Sequence, residues 1–288
     1  MAACTTFSPV AAVESAINLY FNQHLNIDLS EQAMDSCGEE YYNTCIYNEN
    51  IIPEPGWPKE CLKDDTDFPI WQGAPAGYCF GVQTPASHIC EAAYVGIPDE
   101  ACAPYINDNS NHFGSCSVSV CEDFTKRVWK ISGFGQLLSE QNIIPDWVWS
   151  LPLYPPLFQT LITEDNLKQT IIRHGPVAVN GFIPGHSVLI VGWRGKEWIL
   201  KNSYGAYPPE QGYGYITSDL SKASVGFVKY PVIPPSSYNL DIACVDKDRD
   251  GFCNWGISSV KPKICSSLCN KEKDWDDSNT GIGALGFN

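Results

Sequence analysis

The placement of cysteine constrains this chain more than any other feature. Thirteen cysteines fall as nine from Cys4 to Cys121 and four from Cys244 to Cys269, with none between those groups. An odd number at this density predicts a disulfide framework with one thiol left free. Such a framework persists in an oxidising compartment. Zinc is the competing use of cysteine, but no pair of Cys-x-x-Cys knuckles with matched spacing supports it. Met1-Ala2-Ala3-Cys4 has neither the basic start nor the apolar stretch of a signal peptide. The expectation is therefore an exported, extracellular-type chain, N-terminally truncated, whose signal sequence is not in this chain.

Acidic residues outnumber basic ones by 33 to 18, for a net charge of -15. That excludes nucleic acid as a partner, because phosphate recognition needs a basic face. Hydrophobic residues make up 44% of the 288, enough for a packed core. No run approaches the ~18 apolar residues of a membrane helix, so no membrane span is predicted. Oligomeric state is not legible.

Along the chain, Val10, Val13, Ile17 and Tyr20 predict a helix over Ser8 to Gln23, with Pro9 in its first turn and Cys4 just ahead of it. Ser30 reads as the cap of a second helix. Residues 38–78 are acidic, aromatic and proline-rich without period, as expected of a long disulfide-ordered loop. A short helix is predicted over Ala86 to Tyr94, and a strand over Arg127 to Ile131. Residues 134–161 read as an aromatic, proline-rich insert. Thr163 caps a helix to about Arg173. Strands follow at Val177–Val179, Ser187–Trp193, Glu197–Lys201, Tyr213–Thr217 and Gly226–Tyr230. Helices first and antiparallel strands second make an α+β layout with two lobes. Pro231, Pro234 and Pro235 read as a linker. The expected domains are 1–232, a linker at 233–238, and a cysteine-containing tail at 239–288.

Three residues carry candidate chemistry. Cys4 precedes a helix, whose N-terminal partial positive charge favours the thiolate, the attacking species of cysteine catalysis. His186 follows Pro184-Gly185 at a strand start, where a side chain can project into a cleft. Asn202 ends the next strand, where a neutral amide can accept the imidazole proton and fix the ring tautomer. In the tail, Asp246, Asp248 and Asp250 alternate ahead of Gly251, the pattern of a calcium loop. The closing Glu of an EF-hand would fall at Ile257, so this is no complete EF-hand. The carbonyl of Phe252 and the knot of Asp274, Asp276 and Asp277 are the candidate sources of the remaining oxygens.

These residues lie among motifs that resemble the papain family of cysteine peptidases. Cys4-Thr5-Thr6-Phe7-Ser8 with Glu14 is similar to the family's nucleophile helix. Leu29-Ser30-Glu31-Gln32 with Asp35 and Cys37, Cys79-Phe80-Gly81-Val82, Gly96-Ile97 with Glu100 and Pro104-Tyr105, Gly175-Pro176-Val177, His186-Ser187-Val188, and Lys201-Asn202-Ser203-Tyr204-Gly205 with Gly214-Tyr215-Ile216 follow in the family's order. The resemblance implies a helical lobe and an antiparallel β-barrel-like lobe with a cleft between them. It implies a thiol endopeptidase needing no cofactor for catalysis and taking polypeptide substrates. Cys4 would be the nucleophile, His186 the base and acid, and Asn202 the orienter. Gly81 would bind the substrate backbone, and Tyr204 would stand where the family has the Trp that shields the orienting Asn. The family's second oxyanion donor is a Gln upstream of the nucleophile, before this chain begins. Thr5 stands where the family has Trp, and the segment ahead of His186 is short, which predicts a low cleft wall. The tail is similar to small cysteine-containing calcium repeats of exported microbial proteins, implying structural Ca2+ in an irregular C-terminal appendage. The rival reading is a catalytically silent papain-like module used for calcium-dependent binding or adhesion. Transglutaminase-like acyl transfer is disfavoured because its third member is Asp.

Overall fold

The computed structural model describes residues 4–34, 89, 92–93, 96–105, 121–139, 160–205, 211–217, 219–267 and 269–281. Gly81, the motif stretches at Asp35, Cys37 and Cys79, and the insert 38–78 lie outside them.

The fold is α+β. Helix α1 spans Cys4–Phe21 and α2 spans Glu164–His174. Among the described residues seven strands follow in chain order: β1 Lys130–Leu138, β2 Thr160–Leu161, β3 Val177–Ile183, β4 His186–Arg194, β5 Glu197–Lys201, β6 Tyr213–Ile216 and β7 Ser224–Ile233. Their order in the sheet is β2-β1-β7-β3-β4-β5-β6. The sheet is mixed rather than wholly antiparallel, because β1 pairs with β2 in parallel.

Alternation along the strands gives each face its helix. Ala178, Leu189 and Val228 share a core with Val10, Val13, Ile17 and Phe21 of α1. Val177, Val179, Val188 and Ile190 face the other way and pack with Leu167 and Ile171 of α2. The predicted cap of α2 is present as a reciprocal box: Asn166 N donates to Thr163 Oγ1 at 3.2 Å, and Thr163 N donates to Asn166 Oδ1 at 2.7 Å. Ser30 also caps as expected, its Oγ accepting from Ala33 N at 2.9 Å.

Three sequence expectations change. Helix α1 begins at Cys4, not Ser8, so Pro9 lies in its second turn and leaves one intrahelical bond unmade. The stretch Phe134–Leu138, read as the start of an insert, is the second half of β1 paired to β7. Gly133 and Gly135 hid it; a Cβ on Gly135 would lie 2.0 Å from the Phe227 ring, so that glycine makes room for the aromatic. Pro231 is not linker but strand, within β7, where Val232 and Ile233 still pair with Ile131 and Lys130. The following segment is tied down as well, since Tyr238 packs on Trp129 with ring centroids 5.0 Å apart.

The tail is irregular, as expected, and stapled. Cys244–Cys265 and Cys253–Cys269 are bonded around the buried Trp255. Cys102–Cys121 is also bonded among the described residues. Among the described residues Cys4 is the free cysteine.

Candidate active site and acidic tail loop

His186 is positioned by a tight hairpin. Pro184-Gly185 joins β3 to β4, with Ile183 paired to His186. Gly185 takes φ +68°, the value a turn needs at that corner, and Pro184 fixes the preceding one. His186 is thereby held in the sheet margin and is largely buried.

Asn202 follows β5 directly. Its backbone N–H donates to Gly212 O at 2.8 Å, which closes the β5–β6 turn around it. Its Oδ1 accepts from Ser203 N at 2.8 Å and lies 2.9 Å from His186 Nε2. The bond from Ser203 fixes which amide atom is oxygen, because a backbone N–H requires an acceptor. Oδ1 carries no hydrogen, so in the ring pairing Nε2 must be the donor. The neutral ring therefore carries its proton on Nε2 and presents Nδ1 as a free base. Tyr204 stacks on the imidazole, centroids 4.9 Å apart and planes 14° from parallel. Its other face is open, for the residue is 66% exposed.

Cys4 opens α1, which packs across β3, β4 and β7. The far end of the helix is fixed: a Cβ on Gly175, just before β3, would lie 2.3 Å from Leu19, and Tyr20 stacks on Tyr230 of β7. Strand β4 runs antiparallel to β3, so His186 sits at the opposite end of the sheet from those contacts. Cys4 stands at the other end of α1 from Leu19 and Tyr20.

Midway along α1, Glu14 takes a bond from Leu29 N at 2.9 Å. Burial pushes its carboxyl up to about 7, with Asp28 and Glu100 adding to the rise while the Leu29 bond and Lys201 oppose it. Burial likewise carries Glu31 to about 7. Nothing local in the sequence signals that Glu14, Glu31 and Glu100 converge.

In the tail, Asp246, Asp248 and Asp277 bring one carboxylate oxygen each to within 4.8 Å of one another, and so do Asp248, Asp250 and Asp274. Asp248 belongs to both groups. Asp274 is fully buried, and its Oδ2 has no hydrogen-bond partner. Asp246 Oδ1 and Asp248 Oδ2 are buried and unpartnered too. The other oxygens shape the loop: Asp246 accepts from Gly251 N, Asp250 from Phe252 N, Asp274 from Asp276 N and Asp277 from Lys247 N. Asp276 stands outside both groups, with its carboxylate accepting from Ser278 Oγ at 2.5 Å. Burial raises the carboxyls of Asp274 and Asp277, and neighbouring aspartates add to both.

The signature of the papain family cysteine proteases matches residues 76–234, more than half of the chain, and the chain belongs to that family. The match covers His186 and Asn202 and begins after Cys4. Among solved structures, the chain is similar to one from a study of antibody cross reactivity between the mite allergens Blo t 1 and Der p 1, at 18% identity and TM-score 0.46, covering 79% of this chain and 64% of that one. It is also similar to the Carica candamarcensis cysteine protease, at 20% identity and TM-score 0.45, covering 80% of this chain and 90% of that one. A clostridial cysteine protease, Cwp84, aligns at 13% identity and TM-score 0.48, covering 85% of this chain and 58% of that one. No curated protein matches the sequence. Among the described residues, no helix is long and apolar enough to cross a membrane.

Proposed function

We propose that the chain is a thiol peptidase that cleaves polypeptides through an acyl-enzyme on Cys4. His186 Nδ1 takes the Sγ proton, and the thiolate attacks the scissile carbonyl carbon. The Cys4 backbone N–H, unused by the helix because it is a first-turn donor, stabilises the oxyanion. His186 returns the proton to the leaving amine, and water then releases the acyl group. Asn202 holds the ring in the required tautomer throughout and strengthens its bond when imidazolium forms. Tyr204 covers one face of the ring. Gly81 binds substrate backbone in the resembled family, and that role is proposed for it here.

The observation that carries this reading is the His186–Asn202 bond at 2.9 Å, with Oδ1 fixed by Ser203. Hydrolysis of a denatured protein substrate by the chain, compared with Cys4→Ala and His186→Ala, tests it. The proposal predicts activity in the parent alone; equal activity in Cys4→Ala would refute it. The three disulfides among the described residues support an exported, oxidising location.

The tail is proposed to hold Ca2+. Hard carboxylate oxygens, several buried and unpartnered, suit a hard cation of high coordination number. Asp246, Asp248, Asp250, Asp274 and Asp277 would supply side-chain oxygens, with the Phe252 carbonyl as a further ligand. When bound, the ion supplies charge neutralisation and cross-linking, not chemistry. Calorimetric calcium titration of the full chain, with Asp248→Asn alongside, tests this. Uptake abolished or strongly weakened in the variant is expected; no uptake by the parent at millimolar calcium would overturn it.

A further inference from the structure

We propose that cation binding in the tail controls the order of α1, the helix that bears Cys4, because the tail caps that helix at its C-terminal end. The inference rests on the cation reading of the tail given above.

A helix leaves its last carbonyls without intrahelical donors. Here the tail supplies them. Leu19 O accepts from Ile257 N at 3.0 Å, and Phe21 O accepts from Ala243 N at 2.9 Å. Asn22 leaves the helix at φ +52° and turns its amide into the tail, donating to Ala243 O at 3.0 Å and Asn254 O at 3.1 Å. Gln23 Nε2 adds a bond to Asp241 O at 2.6 Å. A Cβ on Gly256 would lie 2.2 Å from Leu19 O, so the glycine is what lets the tail backbone approach the helix end.

The capping segments, 241–243 and 254–257, are the two arms of the acidic loop. They are joined at its base by Val245 and Asn254, which exchange bonds of 2.9 and 2.7 Å. Neither disulfide ties one arm to the other, since Cys244 is bonded to Cys265 and Cys253 to Cys269. The arms are held at the base by that pair of bonds and are each tied to the segment of Cys265 and Cys269, so strain in the loop they enclose acts on their separation against these ties. Without a cation, five carboxylates crowd that loop, and the buried oxygens of Asp246, Asp248 and Asp274 have no partner. Relief of that repulsion spreads the arms and withdraws both donors from α1. The last turn then frays, taking with it the anchors Leu19, Tyr20 and Phe21 that hold the helix at the Gly175 and Tyr230 end of the sheet. A helix packed as one rod carries the loss of that anchorage to its other end, where Cys4 stands.

The experiment is amide hydrogen exchange of the full chain, read on peptides from α1, in calcium and in EGTA, with calcium uptake measured in parallel. Exchange in the last turn of α1 is expected to slow about tenfold or more with calcium in the parent chain. Asp248→Asn loses a ligand and part of the repulsion together, so its α1 exchange is expected to be the same in calcium and in EGTA. Asn22→Gly keeps the left-handed backbone and loses the side-chain clamp. It should take up calcium normally while its calcium effect on α1 falls well below the parent's. Calcium uptake without any change in α1 exchange would overturn the coupling and leave the cation reading intact. No uptake by the parent would overturn the cation reading itself. The comparison within the parent decides the matter even if a variant does not fold.

Discussion

Replacing Glu14 by glutamine separates the cost of a buried carboxylate from the value of its hydrogen bond. Glutamine keeps an oxygen acceptor for Leu29 N, which now bonds Glu14 Oε1 at 2.9 Å. What it removes is ionisation. Burial holds the Glu14 carboxyl at about 7 against an ordinary 4.5. The folded chain therefore binds this proton more tightly than the unfolded chain does. Its contribution to stability is complete below pH 4.5 and is lost as pH rises through about 7. At about 1.4 kcal/mol per pH unit, that interval is worth about 3 kcal/mol. Glu31 moves in the same direction, so the slope is shared and will not vanish in the variant. The assay is denaturant unfolding of Cys4→Ala and of Cys4→Ala with Glu14→Gln, at steps from pH 4.5 to 8. The Cys4 substitution prevents self-digestion. The variant is expected to lose distinctly less stability across that range, and to be more stable than its parent at pH 8. An equally steep fall in both chains would refute the idea that Glu14 is buried as an acid.

Other consequences follow from single contacts. Asn202→Ala removes a bond that becomes charge-assisted on imidazolium formation, so kcat should drop about 10- to 150-fold. His186→Ala should cost more than Asn202→Ala, measured on one peptide substrate. Tyr204→Ala strips one face of the imidazole from a residue that is 66% exposed. A two- to tenfold loss of kcat/KM with Tm nearly unchanged is expected, from about 0.5–1.5 kcal/mol for a stacked pair. Gly181→Ala should lower unfolding free energy by about 2 kcal/mol or more, because Gly181 has φ +93° and a Cβ there would meet Lys222 O at 2.3 Å.

Much of this was legible because it is local. The Thr163 box, the Ser30 cap and the strands from Val177 onward are each written in a few adjacent residues. The His186–Asn202 pair was legible for a related reason: the two sit on consecutive strands joined in a meander, so strand ends predict their neighbourhood. What escaped is non-local. Glycines placed for an aromatic across the sheet made β1 look like an insert, and prolines at a sheet margin made the end of β7 look like a linker. The start of α1 is masked in the sequence because Pro9 is common in a first turn and costly in a second, where it stands here. Asn22 is a recognisable helix-ending residue. Its partners Ala243 and Asn254 lie more than two hundred positions away, so sequence gave no hint that the tail completes the helix.

The central claim is that Cys4 is acylated with His186 as its base. Rapid-quench mass spectrometry with an activated peptide ester reads this directly. The account predicts one acyl group per chain on the peptide that contains Cys4, formed faster than steady-state turnover. In His186→Ala, the same adduct should form slower by about 10²–10⁴-fold. Turnover of the ester with no adduct on Cys4, or acylation at an undiminished rate in His186→Ala, would contradict it.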